Sequence, residues 1–125
     1  MAHAAKQVDG NPSDCELSEA MLADASLVNA LFERASAEWA VFDRACLRNA
    51  CMNGALMGRA SFVDADLRGA SMWKVNLAGA NLRNPDLTEA DIEEANLVDA
   101  KIEGAMWDGA RFTNVRRGEF AQPPE

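Results

Sequence analysis

The chain has 125 residues, 24 of them alanine, with 49% hydrophobic and 26% charged side chains and a formal net charge of −8. That length makes one domain that can bury a core without disulfides or a metal, and the composition is too apolar for a disordered chain. The acidic balance argues against simple electrostatic attachment to nucleic acid or anionic membrane, which needs clustered Lys and Arg, and a single histidine, His3, with no tyrosine leaves little for acid–base or metal chemistry.

Residues 1–14 carry no charged head followed by an apolar run, so no secretory signal is expected in them. With Gly10, Asn11 and Pro12 they read as an N-terminal tail or loose cap. No window downstream is long and apolar enough to span a membrane. Three cysteines, Cys15, Cys46 and Cys51, without C-x-x-C spacing give neither a disulfide framework nor a zinc knuckle. The expected setting is a reducing compartment, the cytoplasm.

From residue 15 a period of five takes over. Every fifth position from Cys15 to Ala110 is small, alanine at 17 of 20 places, the exceptions being Cys15, Val75 and Pro85. Two residues later comes a bulky apolar side chain: nine Leu, four Phe, three Met, two Ile and Trp107, with Ala37 the outlier. On an α-helix a step of five rotates the side chain by about 140°, so the alanines would spiral round every side. On a flat strand an odd period would alternate faces and put half the leucines in water. Each unit therefore needs its own bend. The fourth place after the small residue is Gly, Asn or Asp in 12 of 20 units, among them Asn29, Asn49, Gly54, Gly69, Gly79, Gly104 and Gly109, types that tolerate positive φ. The place just after the small residue is Ser, Asn or Asp in 10 of 20, side chains that bond to turn backbone.

The runs Ala65-Asp66-Leu67-Arg68-Gly69, Ala80-Asn81-Leu82-Arg83-Asn84 and Ala95-Asn96-Leu97-Val98-Asp99 resemble the A-(D/N)-L-x-x unit of pentapeptide-repeat proteins, in register over residues 15–114. The resemblance implies an all-β fold, a right-handed quadrilateral β-helix with one unit per side and four per coil. Twenty units then make about five coils, a rod roughly 24 Å long at ~4.8 Å per coil. Residues 20 apart stack: Leu22, Phe42, Phe62, Leu82 and Ile102 form one column, Phe32, Met52, Met72, Ile92 and Phe112 another. A third, Leu17, Ala37, Met57, Leu77 and Leu97, has a gap at Ala37, where a small cavity or bent coil is expected. Pro85, lacking an N–H, is expected to lose a ladder bond between coils, and Val75 to crowd its site, so an irregularity is expected in the fourth coil. Residues 115–125 form a closing segment and tail, with Arg117 at a centre position. A solenoid exposes a sheet edge at each end, and an end-to-end homodimer would cover one.

No catalytic residues emerge: the histidine is outside the repeat, so no Ser or Cys on the scaffold has a base. No metal ligands and no cofactor are indicated. Function is expected on the outward surface. An apolar patch on the first coils is drawn from Met21, Leu31, Trp39, Val41, Leu56 and Trp73, since exposed apolar clusters and tryptophans mark contacts. An acidic patch is drawn from Asp86, Glu89, Asp91, Glu93, Glu94 and Asp99. Cys15 reads as a core residue, and Cys46 and Cys51 as partly covered small residues on adjoining faces. The reading is a non-enzymatic, rigid protein-binding scaffold with a partner of unknown identity and no direct contact with nucleic acid or membrane. Family resemblance adds an alternative, an acidic mimic of duplex DNA that binds a type II topoisomerase. Against its strong form, net charges coil by coil from residue 15 are −3, 0, +1, −4 and −1, so the middle of the rod is neutral. A further alternative is an accessory or effector module of a larger assembly.

Overall fold

A computed structural model describes residues 15–117; the tail over 1–14, with His3, and the end of the closing segment lie outside the described residues. Parallel bridges pair each outward residue with the one twenty further on, from Glu16↔Ser36 to Asn96↔Arg116. A unit of five and a bridge step of twenty place four units in each turn of the solenoid. Coil 1 is 15–34, coil 2 35–54, coil 3 55–74, coil 4 75–94 and coil 5 95–114. Side 1 holds the units starting at 15, 35, 55, 75 and 95, side 2 those starting at 20, 40, 60, 80 and 100. Side 3 holds those starting at 25, 45, 65, 85 and 105, and side 4 those starting at 30, 50, 70, 90 and 110.

The backbone bonds explain why a five-residue unit stacks. In the unit 45–49, the Cys46 N–H donates to Ala25 of the coil before (2.9 Å), and Leu47 and Asn49 donate to Asp66 and Arg68 of the coil after (2.7 and 3.0 Å). The next small residue turns the corner, its Ala50 N–H donating to the Leu47 carbonyl at 3.0 Å. That turn puts its third residue at positive φ, as a type II turn requires. All twenty corner residues from Glu19 to Asn114 take it, from 56° at Arg34 to 77° at Gly104. Gly, Asn and Asp account for only twelve of them; Glu19, Arg34, Trp39, Arg44, Arg59, Lys74, Glu89 and Glu94 adopt it as well. The stacked ladder thus overrides a local cost of about 1 kcal/mol per non-glycine corner.

Between stacked coils one N–H per unit, at the fourth residue, has no backbone acceptor. In several units a side chain supplies it. Where the second residue is Asp or Asn, its Oδ1 accepts from two residues on: Asp66 from Arg68 (3.2 Å), Asn76 from Ala78 (3.0 Å), Asp91 from Glu93 (3.1 Å). In the units of Ser61 and Ser71 the coil before provides the acceptor. Asp43 accepts from the Val63 N–H and the Ser61 hydroxyl, and Asn53 from the Trp73 N–H and the Ser71 hydroxyl. Asn81 departs from the scheme, its buried Oδ1 having no partner.

Small and bulky residues alternate inward to form one continuous core from Leu22 to Ala100, with no buried polar residue among those described. At Ala37, where a gap is expected, the rings of the two flanking units come near each other. Phe32 and Phe42, at the centres of the units before and after, meet edge to face at 6.2 Å, and Phe42 stacks on Phe62 at 4.9 Å. The ladder runs through Ala37 undistorted, its N–H reaching Leu56 at 2.7 Å.

Coil 4 carries its irregularity at the Pro85 corner and not in the ladder. Val75 is buried, and both its N–H and its carbonyl are bonded (Met72, 3.1 Å; Asn96, 2.9 Å). Pro85 keeps the ladder, because the small residue faces the neighbouring coil through its carbonyl, which accepts from Met106 at 3.0 Å. What its missing N–H removes is the corner bond to Leu82, the counterpart of Ala90 to Leu87 in the next unit. The register continues into the closing segment: Arg116 bridges Asn96, and Arg117 sits half-buried at the centre position above Leu97.

Candidate protein-binding surface

The second and fourth residues of each unit face outward along a side, and the fifth stands at a corner. This lattice splits the apolar set. Met21 and Val41 bridge one another on side 2. Trp39 stands at the corner joining sides 1 and 2, 58% exposed, beside Val41 in the chain. Leu56 follows on side 1, one coil further up. Leu31 pairs with Cys51 on side 4, opposite side 2, and Trp73 shares that side. There are therefore two apolar strips, Met21–Val41–Trp39–Leu56 and Leu31–Cys51–Trp73. Each tryptophan carries a cation, Arg59 at 5.4 Å from the Trp39 ring and Lys74 at 4.6 Å from the Trp73 ring. Val28 on side 3 is exposed as well; its fourth place in the unit is the signal that points it outward.

Five of the six acidic residues come together: Asp86 on side 3, Glu89 at the corner of sides 3 and 4, Asp91 and Glu93 on side 4, and Glu94 at the corner beyond. Asp99 lies apart, at the corner of sides 1 and 2. Several of these charges are opposed by cations from neighbouring coils: Arg68 reaches Asp86 at 3.8 Å, Arg111 reaches Glu93 at 3.8 Å and Lys74 reaches Glu94 at 3.9 Å. Lower on side 3, Arg68 grips Asp66 at 2.8 Å, and Arg48 approaches the same carboxylate at 3.5 Å. The hydrogen bond from Arg68 is the main reason the Asp66 carboxyl is held below its usual range, against the opposing effect of partial burial.

The three cysteines are free and half-buried, with Cys46 on side 3 and Cys51 on side 4; Cys46 Sγ lies 3.9 Å from Asp66 Oδ2. Above Trp39, a groove of about 280 Å³ opens between Arg59, Ala78, Gly79, Asp99 and Lys101. Its floor is Gly79 at φ 69°, and the Arg59 Cγ lies 3.1 Å from where a Cβ would stand. Among the described residues no group of three His, Cys, Asp or Glu side chains is arranged to hold a metal ion, and no helix is long and apolar enough to cross a membrane.

Compared with known proteins, the chain matches the family model for pentapeptide repeats (8 copies) over residues 15–59 and 60–97. No curated protein matches it. Among solved structures it is similar to HetL, a pentapeptide repeat protein involved in heterocyst differentiation regulation in the cyanobacterium Nostoc sp. strain PCC 7120. Identity is 30% and the TM-score 0.75, covering 76% of this chain and 40% of HetL. It is similar also to Rfr23 of the cyanobacterium Cyanothece 51142 (26% identity, TM-score 0.52, covering 69% of this chain and 63% of that one). A third is AT2G44920 of the Arabidopsis thaliana thylakoid lumen (26% identity, TM-score 0.55, covering 86% and 62%). The chain spans less than two thirds of the length of each of these three.

Proposed function

The chain belongs to the pentapeptide-repeat family, whose members fold as right-handed quadrilateral β-helices, and from that premise we propose that it is a rigid, non-enzymatic scaffold that binds another protein. The observation that carries this reading is the strip Met21–Val41–Trp39–Leu56, three of its members well exposed on a backbone whose hydrogen bonds are taken up by stacking. An indole held at a fixed corner loses little freedom on contact, so more of its burial appears as affinity. The proposed partner is a cytoplasmic protein, met without direct contact to nucleic acid or membrane. A second copy stacked end to end is the proposed assembly, with Trp107 and Phe112, edge to face at 5.9 Å and half-buried, at the end it would cover. The test is capture of partners on immobilised protein, comparing the native chain with Trp39→Ala and Leu31→Glu while circular dichroism confirms the fold. Loss with Trp39→Ala alone selects the side 1–2 strip, loss with Leu31→Glu alone selects side 4, and retention in both defeats the reading.

The alternative, a DNA mimic directed at a type II topoisomerase, draws support from the five gathered carboxylates Asp86, Glu89, Asp91, Glu93 and Glu94. Ion pairing to Arg68, Arg111 and Lys74 weakens it, as does a third coil of net charge +1 beneath them. A gyrase supercoiling assay at two salt concentrations decides it. Inhibition that fades with salt and is abolished by reversing Glu93 and Glu94 to lysine would favour the mimic.

A further inference from the structure

Several cations of the rod are held by carboxylates, and others are not. Arg44, Arg48, Arg68, Lys74, Arg83 and Arg111 each lie against a carboxylate. Arg59 and Lys101 make no ion pair among the described residues, and these two face each other across the groove over Gly79. Arg59 is further oriented by the Trp39 ring beneath it, and the absence of a side chain at Gly79 leaves the guanidinium stem lying along the corner instead of being pushed outward. Directly below are the exposed Trp39 and, round the corner, Val41 and Met21. A cationic notch therefore continues without a break into an apolar strip.

The geometry points to this corner as the binding site for an extended acidic peptide segment of a partner protein, one that places a carboxylate between Arg59 and Lys101 and an apolar side chain on Trp39. A carboxylate fits two unpaired donors of this kind, because hydrogen bonds between ionised partners are the strong ones. Asp99, at the groove's far wall, opposes a run of negative charge, so the site suits a single carboxylate. This inference rests on the scaffold reading and adds the chemistry of the partner, which is the opposite of what an acidic chain suggests.

The experiment is a titration of ¹⁵N-labelled full chain with a synthetic octapeptide carrying one glutamate and one leucine in an otherwise glycine–serine sequence, and with the same peptide carrying glutamine for glutamate. The expected result is movement of the Trp39 indole and Gly79 amide signals while Trp73 and Trp107 stay in place. The glutamine peptide should bind at least tenfold more weakly, and Arg59→Gln with Lys101→Gln should cause a similar loss. Equal binding of the two peptides, unchanged binding in the double variant, movement centred on Trp73, no binding at millimolar peptide, or tighter binding of a DNA oligonucleotide at the same signals would each overturn the inference. If Trp39→Ala abolishes partner capture and the double variant does not, the scaffold reading stands and this one falls.

Discussion

Phe42 is the middle ring of three, edge to face with Phe32 at 6.2 Å and stacked on Phe62 at 4.9 Å and 7°. Both Phe42 and Phe62 are wholly buried, and they stand in one column. Truncating a buried phenylalanine to alanine costs about 3–5 kcal/mol, and each aromatic pair lost adds about 0.5–1.5 kcal/mol. Phe42→Ala removes two such pairs and Phe62→Ala one. The hole at 42 also lies next to Ala37, which has no side chain to move into it. Phe42→Ala should therefore fall at or above the upper end of the range and exceed Phe62→Ala by about 1 kcal/mol, the worth of one ring pair. Urea unfolding followed by circular dichroism measures both, read from the midpoint at constant slope. A Phe42→Ala cost below about 2 kcal/mol, or one smaller than that of Phe62→Ala, would show that the three rings do not share the packing described here.

The same rings predict that Ala37→Leu alone overpacks the core and destabilises by about 1–3 kcal/mol, whereas Ala37→Leu with Phe42→Leu recovers most of that in the same assay. Gly104→Ala should cost more than Gly54→Ala, since both sit at positive φ but a Cβ at 104 runs into Asn84 Oδ1 while one at 54 meets Arg34 Cγ at 3.5 Å; Asn84→Ala should narrow the difference in melting temperature. The depressed carboxyl of Asp66 stabilises the fold above the ordinary carboxylate range and loses that effect as pH falls through its lowered value. Asp66→Asn should accordingly lower the melting temperature at pH 7 and much less near pH 2. A smaller effect at pH 7 than at pH 2 would refute the sign.

The period of five was legible because inward positions admit only two kinds of side chain, and the columns follow from counting in twenties. The same count already separates Met21 and Val41 from Leu31, and Asp99 from Asp86. Grouping residues by coil, along the chain, hides it. Positive φ at Trp39 or Lys74 was not legible, since neither residue type favours it and the stacked ladder imposes it. The error at Pro85 was one of orientation: a proline signals a missing N–H, but only the coil's geometry says whether that N–H faces a neighbour or its own corner. Pairings such as Lys74 with Glu94 depend on where long side chains come to rest, which residue spacing does not determine.

Four units to a turn also give this surface an unusual arithmetic of insertion and deletion. Adding or removing five residues between Trp39 and Trp73 would leave the core chemistry intact and swing everything beyond it by a quarter turn, carrying Trp73 from side 4 to an adjoining side. Adding twenty would restore the original facing and lengthen the rod by one coil, ~4.8 Å. A lineage built on such a repeat can re-aim its binding surfaces relative to one another through the length of an indel alone, without altering a single contacting residue.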